Sequence, residues 1–455
     1  MSTETQRETL GSRLGFILIS AGCAIGIGNV WRFPYLCGQY GGGAFVMIYL
    51  FFLAVLGLPA MCMEFAIGRA AKKSPVRMYR ELEPKGSHWH IHSFFCLIGN
   101  YILMMFYTTV AGWMLRYFFL ECMGTFEGLD PDGVAGVFAD GLANPAAQVG
   151  FMGIIVVAGC LVNMQGLQSG LEKVTKVMMV LLIIIMAVLA VNSVFLPGAS
   201  EGIGYLLIPD FDRLMNAGLW NVVSAAMNQA FFTLSIGIGS MAIFGSYIGK
   251  EQSLLGESVN VVILDTLVAI SSGLIIIPAC FAYGVESTAG PSLIFITLPN
   301  IFNHMPLGRL WGSLFFVFMT FAAFSTVLAV FENIMAMCMD LFGWSRMKAG
   351  AVNIFALFVL SLPCALGFNV LSFIQPLGEG SSFLDLEDYI VSNFLLPLGA
   401  LIMVLFCTRK SGWGWENFKK EANEGEGLKV GDWMRGYTTW VLPALIILVF
   451  VMGLL

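Results

Sequence analysis

Eleven apolar stretches, each long enough to cross a membrane, constrain the fold of this chain more than any other feature. A helix needs about 20 mainly apolar residues to span the hydrocarbon core of a bilayer. Hydrophobic residues make up 58% of the 455 residues and charged residues only 11%, and a soluble chain could not bury so much apolar surface. The sequence therefore predicts an all-α polytopic membrane protein surrounded by a lipid bilayer. Its eleven predicted transmembrane helices are 13–36, 43–70, 93–121, 149–165, 171–195, 218–248, 258–284, 308–342, 348–368, 384–408 and 437–455.

The charges between these segments are distributed unevenly. Lysine and arginine concentrate in connections on one side, above all in 69–85, whereas the connections 122–148 and 285–307 on the other side are acidic. Because basic loops stay in the cytoplasm, we expect a cell inner (plasma) membrane protein with a cytoplasmic amino terminus. An odd number of helices then places the carboxyl terminus outside. We expect 122–148 to be an outer loop and 285–307 to be a longer outer excursion that folds partly into a vestibule.

Residues that could perform catalysis or hold a transition metal show no usable spacing. The ten cysteines are scattered, mostly within predicted helices, and no Cys-x-x-Cys pair occurs. His88, His90 and His92 alternate within a loop, and His304 stands alone. This pattern favours buried apolar cysteines over a disulfide framework or a metal site, and it gives no support to an enzyme. We also expect no nucleic-acid partner.

The first apolar segment is interrupted between residues 22 and 34. Gly22, Gly26 and Gly28 each weaken a helix by about 1 kcal/mol relative to alanine. Pro34 lacks an amide hydrogen and disfavours a helical conformation at the residue before it. The sequence therefore predicts a broken helix in the membrane.

Two polar residues, Asn29 and Arg32, lie in this interruption. A broken helix persists in hydrocarbon only where it lines a cavity or a bound ion, and a cation inside a membrane segment indicates a functional site. A glycine-rich packing face beside an arginine that reaches to the membrane surface explains the same residues. Taken alone, the interruption leaves both interpretations open.

A second interruption lies within 228–240, where Gly237 and Gly239 mix with polar residues at mid-depth. Matching interruptions in the two halves of a chain indicate a binding site at the membrane midplane. We therefore expect inverted repeats, although the two halves share only this interruption. The predicted organisation is a single transmembrane domain over 1–455, with a first repeat at 13–195, a second repeat at 218–408 and an additional helix at 437–455.

Five stretches of this sequence resemble one transporter family. They are 12–15 (SRLG), 28–34 (GNVWRFP), 41–45 (GGGAF), 229–235 (QAFFTLS) and 322–326 (AAFST). They are similar to the neurotransmitter:sodium symporter family, and most of all to its bacterial amino-acid members. The resemblance covers nearly the whole chain and implies a leucine-transporter-like fold, with inverted five-helix repeats and broken first and sixth helices. It implies a sodium-coupled symporter that imports a hydrophobic amino acid by alternating access.

The resemblance also implies two sodium sites built from oxygen atoms, which suit a hard cation. The first would take the Ala24 carbonyl, the Asn29 side chain, Thr233 and Asp265, together with the substrate carboxylate. The second would take the carbonyls of Gly22, Ile25 and Ala322 with the hydroxyls of Ser325 and Thr326. Hydroxyls that bond back to their own helix are the alternative for Ser325 and Thr326.

Asp265 lies among apolar residues, where a carboxylate is costly unless it meets a cation. Many animal members of the family carry Asn at this position and bind chloride nearby through Tyr, Gln and Ser. This chain keeps Tyr49 and Gln229 at the matching positions but has Ala269 in place of the Ser. We therefore expect transport independent of chloride, with a structural Asp265 paired to another group as the alternative.

The nature of the substrate follows from Gly26, where monoamine-carrying relatives place an Asp. With no acid in the protein at this position, the substrate is expected to bring its own carboxylate. That carboxylate would meet the amides near Ile27 and Gly28 and the Tyr107 hydroxyl, while the amine would meet the carbonyls of Ala24 and Phe232 and the Ser235 hydroxyl. The full implied substrate site is Ala24, Ile27, Gly28, Leu103, Tyr107, Phe232, Thr233, Ser235, Ile238, Thr326 and Val330.

Two ion pairs would gate this site according to the resemblance. Arg32 and Asp388 would pair on the outer side, and Arg7 and Asp340 on the cytoplasmic side. Asp388 at an acidic helix start and Arg7 as a plain cytoplasmic charge are the simpler explanations. Two other functions stay open, a proton-coupled amino-acid permease of related fold and an amino-acid sensor derived from a transporter.

Overall fold

The computed structural model describes residues 8–284 and 292–454, and these form helices with two isolated β-bridges. The helices are α1 (Arg13–Ala24), α2 (Gly28–Gln39), α3 (Gly43–Ala71), α4 (Pro75–Leu82), α5 (Trp89–Met123), α6 (Pro131–Ala143), α7 (Pro145–Met164), α8 (Leu167–Val194), α9 (Ala199–Leu207), α10 (Phe211–Ala217), α11 (Leu219–Thr233), α12 (Ser240–Tyr247), α13 (Leu254–Ala282), α14 (Leu298–His304), α15 (Gly308–Phe342), α16 (Arg346–Leu366), α17 (Phe383–Thr408), α18 (Trp415–Ala422) and α19 (Met434–Met452).

The predicted fold class is confirmed. Nine of the described helices, α3, α5, α7, α8, α13, α15, α16, α17 and α19, are long and apolar enough to cross a membrane, and α1 with α2 forms a tenth span bent by 56°. The remaining predicted span consists of α11 and α12, which are separated by a turn. Each predicted boundary lies within four residues of the observed one. The division into inverted repeats stays a prediction.

The break in the first span is shorter than the sequence indicates. Only Ile25 and Gly26 leave the helical conformation, and the chain resumes at once in a π-helical turn over Gly28–Arg32. Phe33 is helical, contrary to the expectation drawn from Pro34. Pro34 lies in the first turn of a new α-helical stretch, where a missing amide hydrogen removes no helical hydrogen bond.

The break in the sixth span is longer. Residues 234–239 form a turn in which Ser235, Gly237 and Gly239 have φ values of 50°, 109° and 82°. Such left-handed conformations suit glycine. A Cβ at Gly237 would lie 2.2 Å from the Leu396 carbonyl oxygen, so the turn also packs closely on α17.

The core of the bundle is α15, which packs along α5. Inside the most apolar window of α15, 72% of the residues are buried, against 28% in α19. A helix that is apolar and buried on all sides belongs to the centre of a bundle, whereas an apolar exposed helix faces lipid. Helix α15 therefore lies at the centre of the bundle, and α19 lies at the edge of the bundle.

The two connections that are predicted to lie outside contain more helix than we expected. The segment 122–148 is not a plain loop, because α6 occupies its middle. In 285–307 the residues 285–291 lie outside the described part, and the rest forms a π-helical turn, Leu293–Thr297, followed by α14. Phe295 of this turn is fully buried against Trp31, Trp113, Tyr117, Phe138 and Phe316. The segment thus covers the end of the bundle that is predicted to face outward.

Candidate functional site

Asp265, on α13, contacts residues of both broken spans. Its Oδ1 accepts a hydrogen bond of 2.8 Å from the Asn29 side-chain amide, and the Thr233 hydroxyl lies 3.2 Å from Oδ1 and 3.1 Å from Oδ2. The carbonyl of Asp265 accepts a second bond from Asn29, at 3.1 Å. All three side chains are buried. The structure therefore brings Asn29, Thr233 and Asp265 together, as the first predicted site requires, whereas no hydrogen bond links Ala24 to this group among the described residues.

The residues of the second predicted sodium site also lie close together. The Ser325 hydroxyl lies 2.9 Å from the carbonyl oxygens of Gly22 and Ala322 and 3.4 Å from that of Ile25. The Thr326 hydroxyl lies 3.2 Å from the carbonyl oxygens of Gly22 and Ile25. Only the Ala322 contact stays within α15, so back-bonding explains one of these five contacts. Three carbonyls and two hydroxyls of the predicted set thus face one another, away from bulk water.

The cavity between the two sets begins at Gly26. A Cβ at Gly26 would lie 2.1 Å from the Tyr107 hydroxyl oxygen and 2.6 Å from the Thr326 hydroxyl oxygen. The Tyr107 oxygen accepts a hydrogen bond of 3.0 Å from the Ile27 amide. Position 26 therefore has room only for glycine. The hydrogen bond from Ile27 also holds the Tyr107 hydroxyl at the break in the first span.

The lining of this cavity differs in part from the predicted substrate site. Four residues of the predicted substrate site, Ile27, Thr233, Ile238 and Val330, are not among the residues that line it. The Ile238 carbonyl accepts a bond of 2.8 Å from Asn100, and Val330 is fully buried in α15. Cys23 and Leu396 line it and were not predicted. No sequence signal placed Leu396 there, since it lies in an apolar run of α17. The lining residues are Cys23, Ala24, Gly26, Gly28, Leu103, Tyr107, Phe232, Ser235, Thr326 and Leu396.

Glu64 of α3 is a buried residue that sequence reasoning missed. Its Oε2 accepts a hydrogen bond of 2.9 Å from the Gly237 amide, and its Oε1 accepts bonds of 2.9 Å from Met241 and 3.4 Å from Ala242. These amides belong to the turn in the sixth span and to the start of α12, where helical partners are missing. A carboxylate inside an apolar helix is the signal that could have revealed it.

Comparisons with known proteins give the family. The profile of the Sodium:neurotransmitter symporter family matches residues 7–126 and 140–455. The chain belongs to this family. It is therefore a sodium-coupled symporter, a membrane transporter and not an enzyme.

Three relatives illustrate the family's range. The chain is 33% identical to the sodium-dependent transporter YhdH of Bacillus subtilis over 403 residues, which cover 88% of this chain and 87% of the relative. It is 31% identical to the sodium-dependent transporter MJ1319 of Methanocaldococcus jannaschii, covering 97% and 89%. The crystal structure of MhsT in complex with L-phenylalanine superposes with a TM-score of 0.87 at 35% identity, covering 98% of this chain and 100% of MhsT.

On the side of the cavity that is predicted to face outward, the symporter shows no ion pair between Arg32 and Asp388. The Arg32 guanidinium carbon lies 4.7 Å from the centre of the Phe232 ring, and Asp388 accepts a hydrogen bond of 2.7 Å from Ser392. Within the described part of the chain, Arg32 has no carboxylate within 4.0 Å. The predicted direct pair is thus not formed in this structure, and Phe232 takes its place as the partner of Arg32.

At the end of the bundle that is predicted to be cytoplasmic, Arg7 lies outside the described residues, so its predicted pair with Asp340 is not tested. Asp340 accepts a hydrogen bond of 2.8 Å from the Ser74 amide. A network that the sequence did not reveal lies nearby. Glu332 of α15 accepts a hydrogen bond of 2.7 Å from the Tyr247 hydroxyl and pairs with Arg346 at 2.6 Å.

The residues near the chloride-binding positions of relatives are buried. Gln229 donates a hydrogen bond of 2.8 Å to the Gly28 carbonyl, which ties α11 to α2. The Tyr49 hydroxyl lies beside Asp265, and Ala269 follows one helical turn later on α13. Asp265 is thus the acid that faces both broken spans in this region.

Proposed function

We propose that the symporter imports a hydrophobic amino acid together with sodium, without a need for chloride. The observation that carries this proposal is the cavity at Gly26, whose lining combines the hydroxyl-bearing residues Tyr107, Ser235 and Thr326 with apolar side chains. An ion-coupled amino-acid carrier needs both kinds of surface, since its cargo has a charged end and an apolar end.

The carboxylate of the amino acid would bind at the break in the first span. Gly26 leaves space there, and none of the described residues that line the cavity has an acidic side chain to pair with a bare amine. The Tyr107 hydroxyl and the amides near Ile27 and Gly28 can donate to a carboxylate. MhsT, the similar structure, holds L-phenylalanine, a molecule with the same carboxylate and amine.

The side chain of the amino acid would lie against Leu103, Phe232 and Leu396. Thr326 and Ser235 add hydroxyls, but the Thr326 hydroxyl already faces the carbonyls of Gly22 and Ile25. An apolar side chain leaves no polar group of its own unsatisfied in such a lining. Aliphatic and aromatic amino acids therefore suit it better than polar ones.

Sodium would bind at the two oxygen clusters. Asn29, Thr233 and Asp265 would form the first site, which the Ala24 carbonyl and the substrate carboxylate complete. The second would use Gly22, Ile25, Ala322, Ser325 and Thr326. Because Asp265 supplies a fixed negative charge beside the first ion, a bound chloride would be redundant.

Alternating access would use the contacts at the two ends of the cavity. Outside, Phe232 under Arg32 closes the site, and an Arg32–Asp388 pair would form in another state of the cycle. The uneven loop charges support a cytoplasmic amino terminus, an extracytoplasmic carboxyl terminus and a location in the plasma membrane.

Equilibrium binding of radiolabelled amino acids to the purified symporter tests the proposal. We expect saturable binding of apolar amino acids in sodium chloride and in sodium gluconate, and none in potassium chloride. Binding that needs chloride would contradict the role of Asp265 while leaving the substrate class intact. Amino-acid binding that does not depend on sodium would contradict both proposed sodium sites and favour a proton-coupled permease. Exclusive binding of polar amino acids would contradict the proposed substrate class.

A further inference from the structure

A surface groove lies between the end of α17 and the start of α19, far from the substrate cavity. Its walls come from the four residues 408–411 and from Arg435, Gly436, Thr439 and Trp440. The groove contains three basic side chains, Arg409, Lys410 and Arg435, and the transport mechanism uses none of them. It lies at the same end of the molecule as the basic connection 69–85, since Trp89, next to that connection, donates a hydrogen bond of 2.7 Å to the Ser411 carbonyl.

The positive charge of this groove is only partly neutralised. Arg435 pairs with Glu416 at 3.1 Å. Arg409 and Lys410 have no carboxylate within 4.0 Å among residues 8–284 and 292–454. A pair of unmatched cations in a surface groove favours an anionic ligand.

Two exposed tryptophans fix the depth of the groove in the membrane. Trp440 is 65% exposed and Trp433 79% exposed, and tryptophan at the surface of a membrane helix lies at the level of the lipid headgroups. The Arg409 guanidinium carbon lies 4.4 Å from the centre of the Trp440 ring. The cations therefore lie at the depth of lipid phosphates.

An apolar stripe leads from the groove toward the middle of the membrane. Trp440, Ile447 and Val451 are exposed and occupy positions i, i+7 and i+11 on one face of α19. A free phosphate ion would gain nothing from this stripe, whereas the acyl chains of a lipid would cover it.

We propose that this groove binds the headgroup of an anionic phospholipid of the cytoplasmic leaflet. The lipid phosphate lies against Arg409 and Lys410, and the acyl chains run along the exposed face of α19. The hydroxyls of Ser411 and Thr439 lie in the same groove and supply further donors. A zwitterionic lipid binds less well, because its own cation opposes the two basic side chains.

Native mass spectrometry of the full-length symporter with added lipid tests this site. We expect phosphatidylglycerol to bind more tightly than phosphatidylcholine. The double variant Arg409→Gln/Lys410→Gln should lower the affinity for phosphatidylglycerol by about thirtyfold, since each basic residue near the membrane surface contributes roughly 1 kcal/mol. The affinity for phosphatidylcholine should not change.

The matched control is Arg77→Gln/Arg80→Gln, which removes two exposed basic residues from the same end of the molecule but outside the groove. It should keep tight binding of phosphatidylglycerol. An equal loss in both double variants would overturn the proposal in favour of general charge attraction. Displacement of the lipid by inorganic phosphate would overturn it in favour of a small-anion site. Thermal unfolding of each variant without lipid establishes that the protein is folded.

Discussion

The two broken spans expose opposite kinds of backbone group. In the first, the carbonyls of Gly22 and Ile25 turn toward the hydroxyls of Ser325 and Thr326, so acceptors face the gap. This arrangement favours a cation, because several carbonyl and hydroxyl oxygens then point at one place.

In the second broken span the amides of Gly237, Met241 and Ala242 face the gap, so donors are exposed there. The chain supplies its own anion, Glu64, to these donors. The contrast teaches that an interruption in a membrane helix does not by itself define an ion site. Which end of the peptide group faces the gap decides whether it attracts a cation or needs an acid from a neighbouring helix.

Replacing Glu64 gives the largest expected effect. Glu64→Gln removes the negative charge that faces three backbone donors and replaces one of the two acceptor oxygens with an NH2 group, and we expect the free energy of unfolding to fall by about 3 kcal/mol. Thermal unfolding of the purified protein measures this. Glu387→Gln is the matched control, because Glu387 is also buried but no backbone amide among the described residues donates to its oxygens, so its loss should be small. Equal losses in the two variants would show that the bonds of Glu64 carry no special weight.

Neutralising Asp265 gives the second-largest expected effect. Asp265→Asn removes the fixed charge beside Asn29 and Thr233, and we expect sodium-dependent amino-acid binding in gluconate to weaken about a hundredfold. Chloride should restore part of it, more so with Ala269→Ser added. The exposed Asp132→Asn serves as the control. If chloride restored nothing even in the double variant, Asp265 would not act in place of an anion.

Filling the gap at Gly26 should weaken amino-acid binding by about ten- to a hundredfold, the usual range for an extra methyl group in a packed site. The added Cβ of Gly26→Ala would collide with the Tyr107 and Thr326 hydroxyls. Equilibrium binding of the labelled amino acid measures the effect. Gly150→Ala is the control, since a Cβ there meets no atom of the described part of the chain within 4 Å. Unchanged affinity in Gly26→Ala would place the substrate elsewhere.

Removing one neutral hydroxyl gives the smallest expected effect. Ser325→Ala should lower the apparent sodium affinity about fivefold, because one neutral oxygen contributes about 1 kcal/mol. Titration of amino-acid binding with sodium measures it. Ser272→Ala is the control, as the Ser272 hydroxyl is buried and, among the described residues, bonds only to the Val268 carbonyl of its own helix, at 2.8 Å. A similar shift in both variants would contradict a sodium ligand at Ser325.

Much of the fold and of the candidate site could be predicted from short stretches of the sequence. Apolar runs of membrane length gave the eleven spans, because a helix in lipid must satisfy its own backbone and has few alternatives. Glycines at 22, 26 and 28 located the first break, although the consequence drawn from Pro34 was wrong. The resemblance to the family implied Asn29, Thr233, Asp265, Ser325 and Thr326 as ion ligands, and the structure brings these residues into two clusters.

Contacts between distant helices were decided only by the tertiary structure. Glu64 lies 173 positions from Gly237, and hydropathy describes each helix without saying which face meets which neighbour. The same reason applies to Leu396 in the cavity, to Glu332 with Arg346, and to Arg32 on Phe232 instead of Asp388. The sequence by itself determined the spans, their interruptions and the family, because each of these depends on residues that are close together in the chain. Only the packing of the helices decided which polar groups meet, because a buried polar group takes whichever partner the fold places within reach.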